Sequence, residues 1–247
     1  MNDGLNEPVL FLDWDSSFFN KRIGRVSTKN MSEQDADQVD VWATKNTMDC
    51  LYYLADGSKE ESARAAEAHG YHLTDLRLTF AISLGSTMPK FLGDSRFRLA
   101  VPSDLPQLRH MAGEYHDISR FYADKNFTRE KCRELYQLWI QRDFDEKNHF
   151  LWVIEREGDI AGYTSASVNR ETCISEIGLV GISSKWRGQG IGQQLQLAVL
   201  NELNTKGMRQ VEVVTQGRNV AAQNLYIKSG YGLKSIDLWY HKWYQQS

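Results

Sequence analysis

Residues Val180-Gly181-Ile182-Ser183-Ser184-Lys185-Trp186-Arg187-Gly188-Gln189-Gly190-Ile191-Gly192-Gln193-Gln194-Leu195 join an apolar run to an arginine and three alternate glycines. Those residue types at that spacing can hold a diphosphate. Ile191, Leu195, Ala198 and Val199 keep a helical period after the glycines, so the stretch predicts strand, loop, helix. Backbone N–H groups of a glycine-rich loop approach a phosphate closely, and the helix N-terminus adds about half a positive charge. Spacing excludes two nucleotide-binding patterns. A dinucleotide fingerprint needs its third glycine where Gln193 stands, and a P-loop needs Lys-Ser/Thr where the chain has Gln193-Gln194.

The elements that position this loop come from a chain of 247 residues, 41% hydrophobic, enough for one large or two small cores. Net charge is −3 with acids and bases interspersed, so no broad field draws in nucleic acid or an anionic membrane. An anionic ligand must then be held locally. Cys50, Cys132 and Cys173 are odd in number and far apart, with no CxxC and no His pair at ligand spacing. That pattern favours free thiols over a disulfide framework or a metal site. Residues 1–7 lack the basic and apolar pattern of a leader, and no apolar run approaches the roughly 20 residues of a membrane span, so a cytoplasmic protein is expected. No internal repeat is evident. Turn residues across 85–95 mark the best seam, setting an N-terminal α/β subdomain, 1–88, against a second domain, 95–247.

Before the seam the pattern predicts strands at 9–12, 22–26, 50–54 and 71–83, an aromatic turn at 13–19, and helices at 32–45 and 60–69. After it come a strand at 96–101, a helix to about 116, an aromatic and basic loop at 119–127 and a helix at 129–144. A hairpin over 151–168, a strand at 175–182, the glycine loop with its helix, and a strand-helix-strand from 210 to 242 complete the chain.

Arg187-x-x-Gly190-x-Gly192 after a strand, and Asn219-x-x-Ala222-x-x-Leu225-Tyr226-x-Lys228-x-Gly230-Tyr231 after the next, resemble motifs A and B of the GCN5-related N-acetyltransferases (GNAT). The order β-α-α-β-β-β-loop-α-β-α-β is similar to theirs. Trp14-Asp15-Ser16-Ser17-Phe18-Phe19, Gly70-Tyr71-His72-Leu73-Thr74-Asp75, Ser119-Arg120-Phe121 and Trp239-Tyr240-His241-Lys242-Trp243 look more narrowly like the dTDP-fucosamine acetyltransferase family. That family acetylates the amine of a dTDP-linked amino-dideoxyhexose used in bacterial surface polysaccharide assembly, and it carries an N-terminal subdomain of this size. The resemblance implies an α/β GNAT fold: a mixed, mostly antiparallel central sheet flanked by helices, with an N-terminal α/β subdomain. It also implies acetyl-CoA as co-substrate and no metal. The implied acetyl-CoA contacts are main-chain groups of Val180 and Ile182, the loop Arg187, Gly188, Gln189, Gly190, Ile191 and Gly192, and Asn219 and Ala222 beside the pantetheine arm. Gly181 is expected to leave room near the thioester.

Acetyl transfer to an amine needs a neutral amine, a polarised carbonyl and a proton for the departing thiolate. By the resemblance, Tyr226 is the general acid. A phenol of pKa about 10 protonating the thiolate of a thiol near 8.5 is uphill by about 2 kcal/mol, so the transfer is coupled to C–S cleavage or the phenol is made more acidic. Asp75, by its place in the sugar-nucleotide family, and Glu176, by its place in histone-type enzymes, compete for the role of base. An amine of pKa near 8 is about a tenth neutral at pH 7, so water alone also remains open. Arg120 is expected on a nucleotide sugar's diphosphate, with Phe121 or Tyr122 stacked on its thymine. Lys185 and Lys206 could meet CoA phosphates, whereas His116 and His149 read as structural or solvated. The expected partner is a small-molecule amine, a dTDP-amino sugar. The aromatic tail 239–244 reads either as an edge strand for a homodimer or as a core strand. A GNAT enzyme acting on a peptide amine, and a non-catalytic acyl-CoA-binding module, are the alternatives.

Overall fold

The computed structural model describes residues 7–85 and 96–244, so all of the seam at 85–95 but Gly85 lies outside the described residues. Its strands are β1 (Val9–Phe11), β2 (Ile23–Val26), β3 (Cys50–Asp56), β4 (His72–Ser83), β5 (Arg96–Leu99), β6 (His149–Arg156), β7 (Asp159–Asn169), β8 (Ile174–Ile182), β9 (Gln210–Gln216) and β10 (Gly232–Trp243). Its helices are α1 (Asp13–Phe19), α2 (Glu33–Lys45), α3 (Glu60–Ala68), α4 (Leu105–Tyr115), α5 (Arg120–Ala123), α6 (Arg129–Asp145), α7 (Ile191–Thr205) and α8 (Val220–Lys228). Two stretches expected as loops are helical. The aromatic turn is α1, whose Phe18 and Phe19 pack inward while Trp14 stays half-exposed, and the aromatic-basic loop contains α5. The helix start at Ser32 is as expected, because Ser32 and Asp35 exchange side-chain to backbone bonds of 3.2 and 2.9 Å.

All ten strands form one mixed sheet in the order β1-β2-β3-β10-β4-β9-β8-β7-β6-β5, parallel only at β2–β3 and β8–β9. The aromatic tail is therefore β10, hydrogen-bonded on both sides, and cannot serve as a docking edge. In the C-terminal half, α7 and α8 cover one face through Leu195, Val199, Val211, Val213 and Tyr226, and α4 and α6 cover the other through Leu108, Ile140 and Tyr163. A further cluster, with Tyr52, Phe121, Phe127 and Leu135 beside Trp239 and Trp243, ties α5 and α6 to the N-terminal half.

The structure reveals a repeat that the residue pattern conceals. β3, α3 and β4 recur as β9, α8 and β10 with the same lengths and the same spacers, Cys50 answering to Gln210 and Ser83 to Trp243. Between 33–83 and 193–243 only Gln34, Val39, Met48, Gly57, Gly70, Tyr71, Leu73 and Leu78 are matched by the same residue. The halves meet about a pseudo-twofold axis at β4–β10. Arg77 and Asp237, counterparts in the repeat, face each other there and are joined by a 3.2 Å ion pair, and Lys29 reaches the same carboxylate at 2.8 Å. Each half lends its last strand to the other, β10 lying against β3 and β4 against β9. A chain ending after Tyr231 is accordingly expected to show no cooperative urea transition by circular dichroism, because β3 and β4 would each lose a full row of hydrogen bonds.

Candidate active site

The sheet opens where the glycine loop begins. β8 pairs with β9 from Ile174 to Ile177 only, so its last residues diverge from the end of β9. On its other side β8 stays paired with β7 through Gly162–Ile182, after a bulge where the Leu179 N–H is taken up by Ser165 Oγ at 2.8 Å. Ser183 N–H donates to Ala161 O, and Gly181 faces Tyr163, so by antiparallel alternation the main-chain groups of Val180 and Ile182 point away from β7 into the gap. These are the groups expected to hold the acyl carrier.

Gly188 and Gly190 have φ of 75° and 78°, a left-handed geometry that side chains disfavour. Gly190 caps α7, and the first intrahelical bond runs from Gln194 N–H to Gly190 O, so the N–H groups of Ile191, Gly192 and Gln193 precede the ladder at the helix end. Ile191 itself is buried, and a Cβ at Gly192 would lie 3.3 Å from Leu225, which brings α8 over the mouth of the gap. Asn219 Oδ1 accepts from Ala222 N–H at 3.1 Å, making Asn219 the cap of α8. Arg187 folds back, its Nε 3.1 Å from Ile182 O and its guanidinium over the Tyr115 ring, and Gln189 bonds the Lys185 carbonyl.

Several expectations need correction. Gly181 leaves no room at a thioester, because an added Cβ would lie 2.3 Å from the Tyr163 ring, and the missing side chain accommodates that ring. Lys185 is committed to Asp159 and Glu157. Lys206 follows the C-terminus of α7 and lies over Phe150, the length of the helix away from the loop. Phe121 is 2% exposed in the seam core and is not a stacking platform, while Tyr122 is half-buried beside Arg129. Arg120 lies with its guanidinium 4.1 to 4.3 Å from the Tyr52, Phe121 and Trp239 rings. His116 bonds Tyr163 Oη at 2.9 Å and His149 meets Asp143 and Glu146, both structural contacts.

Asp75 lies past the end of β9, opposite Trp239 on β10, and is 7% exposed with its Oδ1 unpartnered among the described residues. Burial raises its carboxyl to about 6, against the opposing pull of Arg218, the N–H groups of Leu76 and Gly217, and Arg120. Arg218 is itself fixed by a 2.8 Å bond to Thr74 O. Glu176 is exposed in the closed part of β8, opposite Glu212. The run from Glu212 to Gln216 alone spans about 13 Å, so the structure does not bring the two carboxylates together. Tyr226 is buried on α8 between Phe80 and Tyr231, and burial without a charged neighbour pushes its phenol up rather than down. The contribution of Arg218 to the field at Asp75 was not visible in the sequence, where it stands merely as the residue before the motif B asparagine.

A mixed sheet opening at β8–β9 over a glycine-capped helix is the GNAT fold, and residues 114–231 match the model of the Acetyltransferase (GNAT) family. The match covers just under half of this chain and falls on the part that holds the glycine loop and α8. The chain is similar to mycothiol acetyltransferase from Amycolatopsis mediterranei, 32% identical over 39% of this chain and 34% of that one. It is 22% identical to mycothiol acetyltransferase from Renibacterium salmoninarum over 91% of this chain and 64% of that one. This chain thus spans between about a third and two thirds of those relatives. Among solved structures, a GCN5-related N-acetyltransferase from Sphaerobacter thermophilus superposes with a TM-score of 0.65, at 19% identity, over 95% of this chain and 75% of that one.

The raised Asp75 carboxyl also has a stability consequence. The folded chain holds that proton more tightly than the unfolded chain, whose value is 3.8, so the stabilisation is complete below pH 3.8 and lost as pH rises through about 6. Asp75→Asn is expected to stabilise the protein by about 1–3 kcal/mol at pH 8 and to change little at pH 4, measured by urea denaturation.

Proposed function

We propose that the protein is an acetyl-CoA-dependent N-acetyltransferase, cytoplasmic, that acts by direct transfer on the amine of a nucleotide-linked amino-dideoxy sugar. In this reading 1–88 is an N-terminal subdomain and 95–247 the acetyltransferase domain. The observation that carries the acyl-transfer part is the gap at the end of β8, where main-chain groups of Val180 and Ile182 point outward directly before the Gly188–Gly190 turn. Amides of a pantetheine arm can pair with those groups as an added strand does, and the CoA diphosphate can take the free N–H groups opening α7. Asn219, its oxygen engaged as a cap, contributes through its amide nitrogen.

The acceptor lies on the Asp75 side. Its ammonium gives a proton to Asp75, which at about 6 is mostly ionised at pH 7 and a stronger base than an ordinary aspartate by about two decades. The neutral amine attacks the thioester carbonyl, whose developing charge meets main-chain N–H groups of β8, and the C–S bond breaks. Tyr226 protonates the departing sulfur. Because burial makes its phenol a weaker acid, that transfer is coupled to C–S cleavage. Arg120 and Arg218 supply positive charge for the acceptor's phosphates. The sugar-nucleotide acceptor is supported by the sequence resemblance around Asp75, Arg120 and Trp239. The relatives' names favour a second reading, an acceptor in mycothiol formation.

Incubation with acetyl-CoA and a panel of amino-sugar nucleotides, mycothiol precursors and amine-bearing peptides, read by mass spectrometry, separates these readings. A one-acetyl gain confined to a dTDP-amino-dideoxyhexose is expected; gain on another member alone reassigns the acceptor. On the active acceptor, Tyr226→Phe is expected to lower kcat about a hundredfold with acetyl-CoA affinity nearly unchanged. In wild type kcat/KM should rise with pH through a midpoint near 6, a limb that Asp75→Asn removes.

A further inference from the structure

Two buried polar groups where α5 meets β10, His241 and Asp124, are left unused by the acyl-transfer chemistry. His241, 1% exposed, has Nδ1 2.7 Å from Asp124 Oδ2 and Nε2 2.9 Å from Arg120 Nη1. Asp124 Oδ2 also accepts from Trp243 Nε1 at 2.8 Å, and Oδ1 accepts from the Asn126 N–H at 3.0 Å. A carboxylate at Nδ1 requires the proton there, which leaves Nε2 as an acceptor for an Arg120 N–H. The imidazole is neutral, burial and the Arg120 charge holding it down to about 4 against the Asp124 bond. Stacking on Tyr52, Phe121 and Trp239 fixes where the guanidinium sits, but ring faces set little direction for its N–H groups. The bond to His241 sets that direction.

We propose that His241, buttressed by Asp124, is a positioning residue that aims the Arg120 guanidinium into the seam between the halves, within electrostatic reach of Asp75 and Asp15. Its catalytic meaning rests on the reading of Asp75 as the amine's proton acceptor; its test does not. The groups facing Asp75 are Arg218 from the loop before α8, Arg120 from α5, and the N–H groups of Leu76 and Gly217. Those facing the guanidinium are His241 from β10, Asp15 from α1, Asp75 from β4, the Tyr52 hydroxyl and Cys50 thiol from β3, and the Tyr136 phenol from α6. An aimed cation favours ionised Asp75, and one that swings away lets the carboxyl hold its proton more tightly.

The test is a carbon-detected NMR titration of the Asp75 carboxyl in the full chain, without acetyl-CoA or acceptor. His241→Asn keeps a donor to Asp124 but is too short to meet Arg120, and is expected to move the Asp75 midpoint up by about 0.5 pH unit. His241→Gln reaches the place of Nε2 and is expected to restore the wild-type midpoint. In an Arg120→Ala background His241→Asn should add nothing. An unchanged midpoint in His241→Asn, or a shift that persists without Arg120, overturns the positioning role. His241→Phe replaces His241→Asn in the same comparison if the latter does not fold. Failure of every acceptor in the acetylation panel leaves this titration readable, so the two ideas fall separately.

Discussion

The antiparallel pairing of β4 with β10 is the constraint on which the rest of the molecule depends. Hydrogen bonds there join the last strand of one half to the last strand of the other, and through it β3 and β9 are drawn into one sheet. The Arg77–Asp237 pair on the pseudo-twofold axis is half-buried and also engages Lys29 and Thr79. Its contribution is specificity as much as energy, since a slip by one residue would turn Asp75 and Trp239 to the opposite face. The placement of Asp75 opposite Trp239 therefore depends on a contact between halves.

Duplication of the framework did not duplicate the chemistry. The counterpart of Tyr226 is Ala66, and that of Asp75 is Ser235. The counterpart of the β8–β9 gap is occupied by the chain itself: Tyr53 Oη donates to Lys29 O and accepts from Met31 N–H, and Asp56 N–H also bonds Lys29 O. Lys29 to Met31 thus fill, with satisfied hydrogen bonds, the space that stays open at the end of β8. One half keeps the opening between its strands, and in the other the chain closes it.

Legibility in the sequence followed the locality of the physics. The glycine turn, the capped helices and nearly all strands could be read because φ, capping and periodicity act over a few residues. The repeat could not be, since its two copies agree mainly where geometry is demanding, as at Gly70 and Gly230 with their positive φ, and differ where side chains only had to fill space. Of the candidate site, resemblance singled out Asp75, but its burial and its arginine neighbours arise from residues far apart in the chain. Phe121 and Gly181 were misread for the same reason. A ring near an arginine reads as a platform until the core it fills is known, and a glycine reads as open space until Tyr163 is seen across the sheet.

Placing β10 between β3 and β4 also orders the molecule in time. During synthesis β3 and β4 emerge early, but in the finished sheet their backbones stand one strand apart, roughly 9–10 Å. Nothing in the first half can bridge that interval. The first half thus waits with β3 and β4 unpaired along the edges that β10 takes until residues 232–243 have been translated, and its final closure is a long-range, slow event that needs protection from edge-to-edge association on the way.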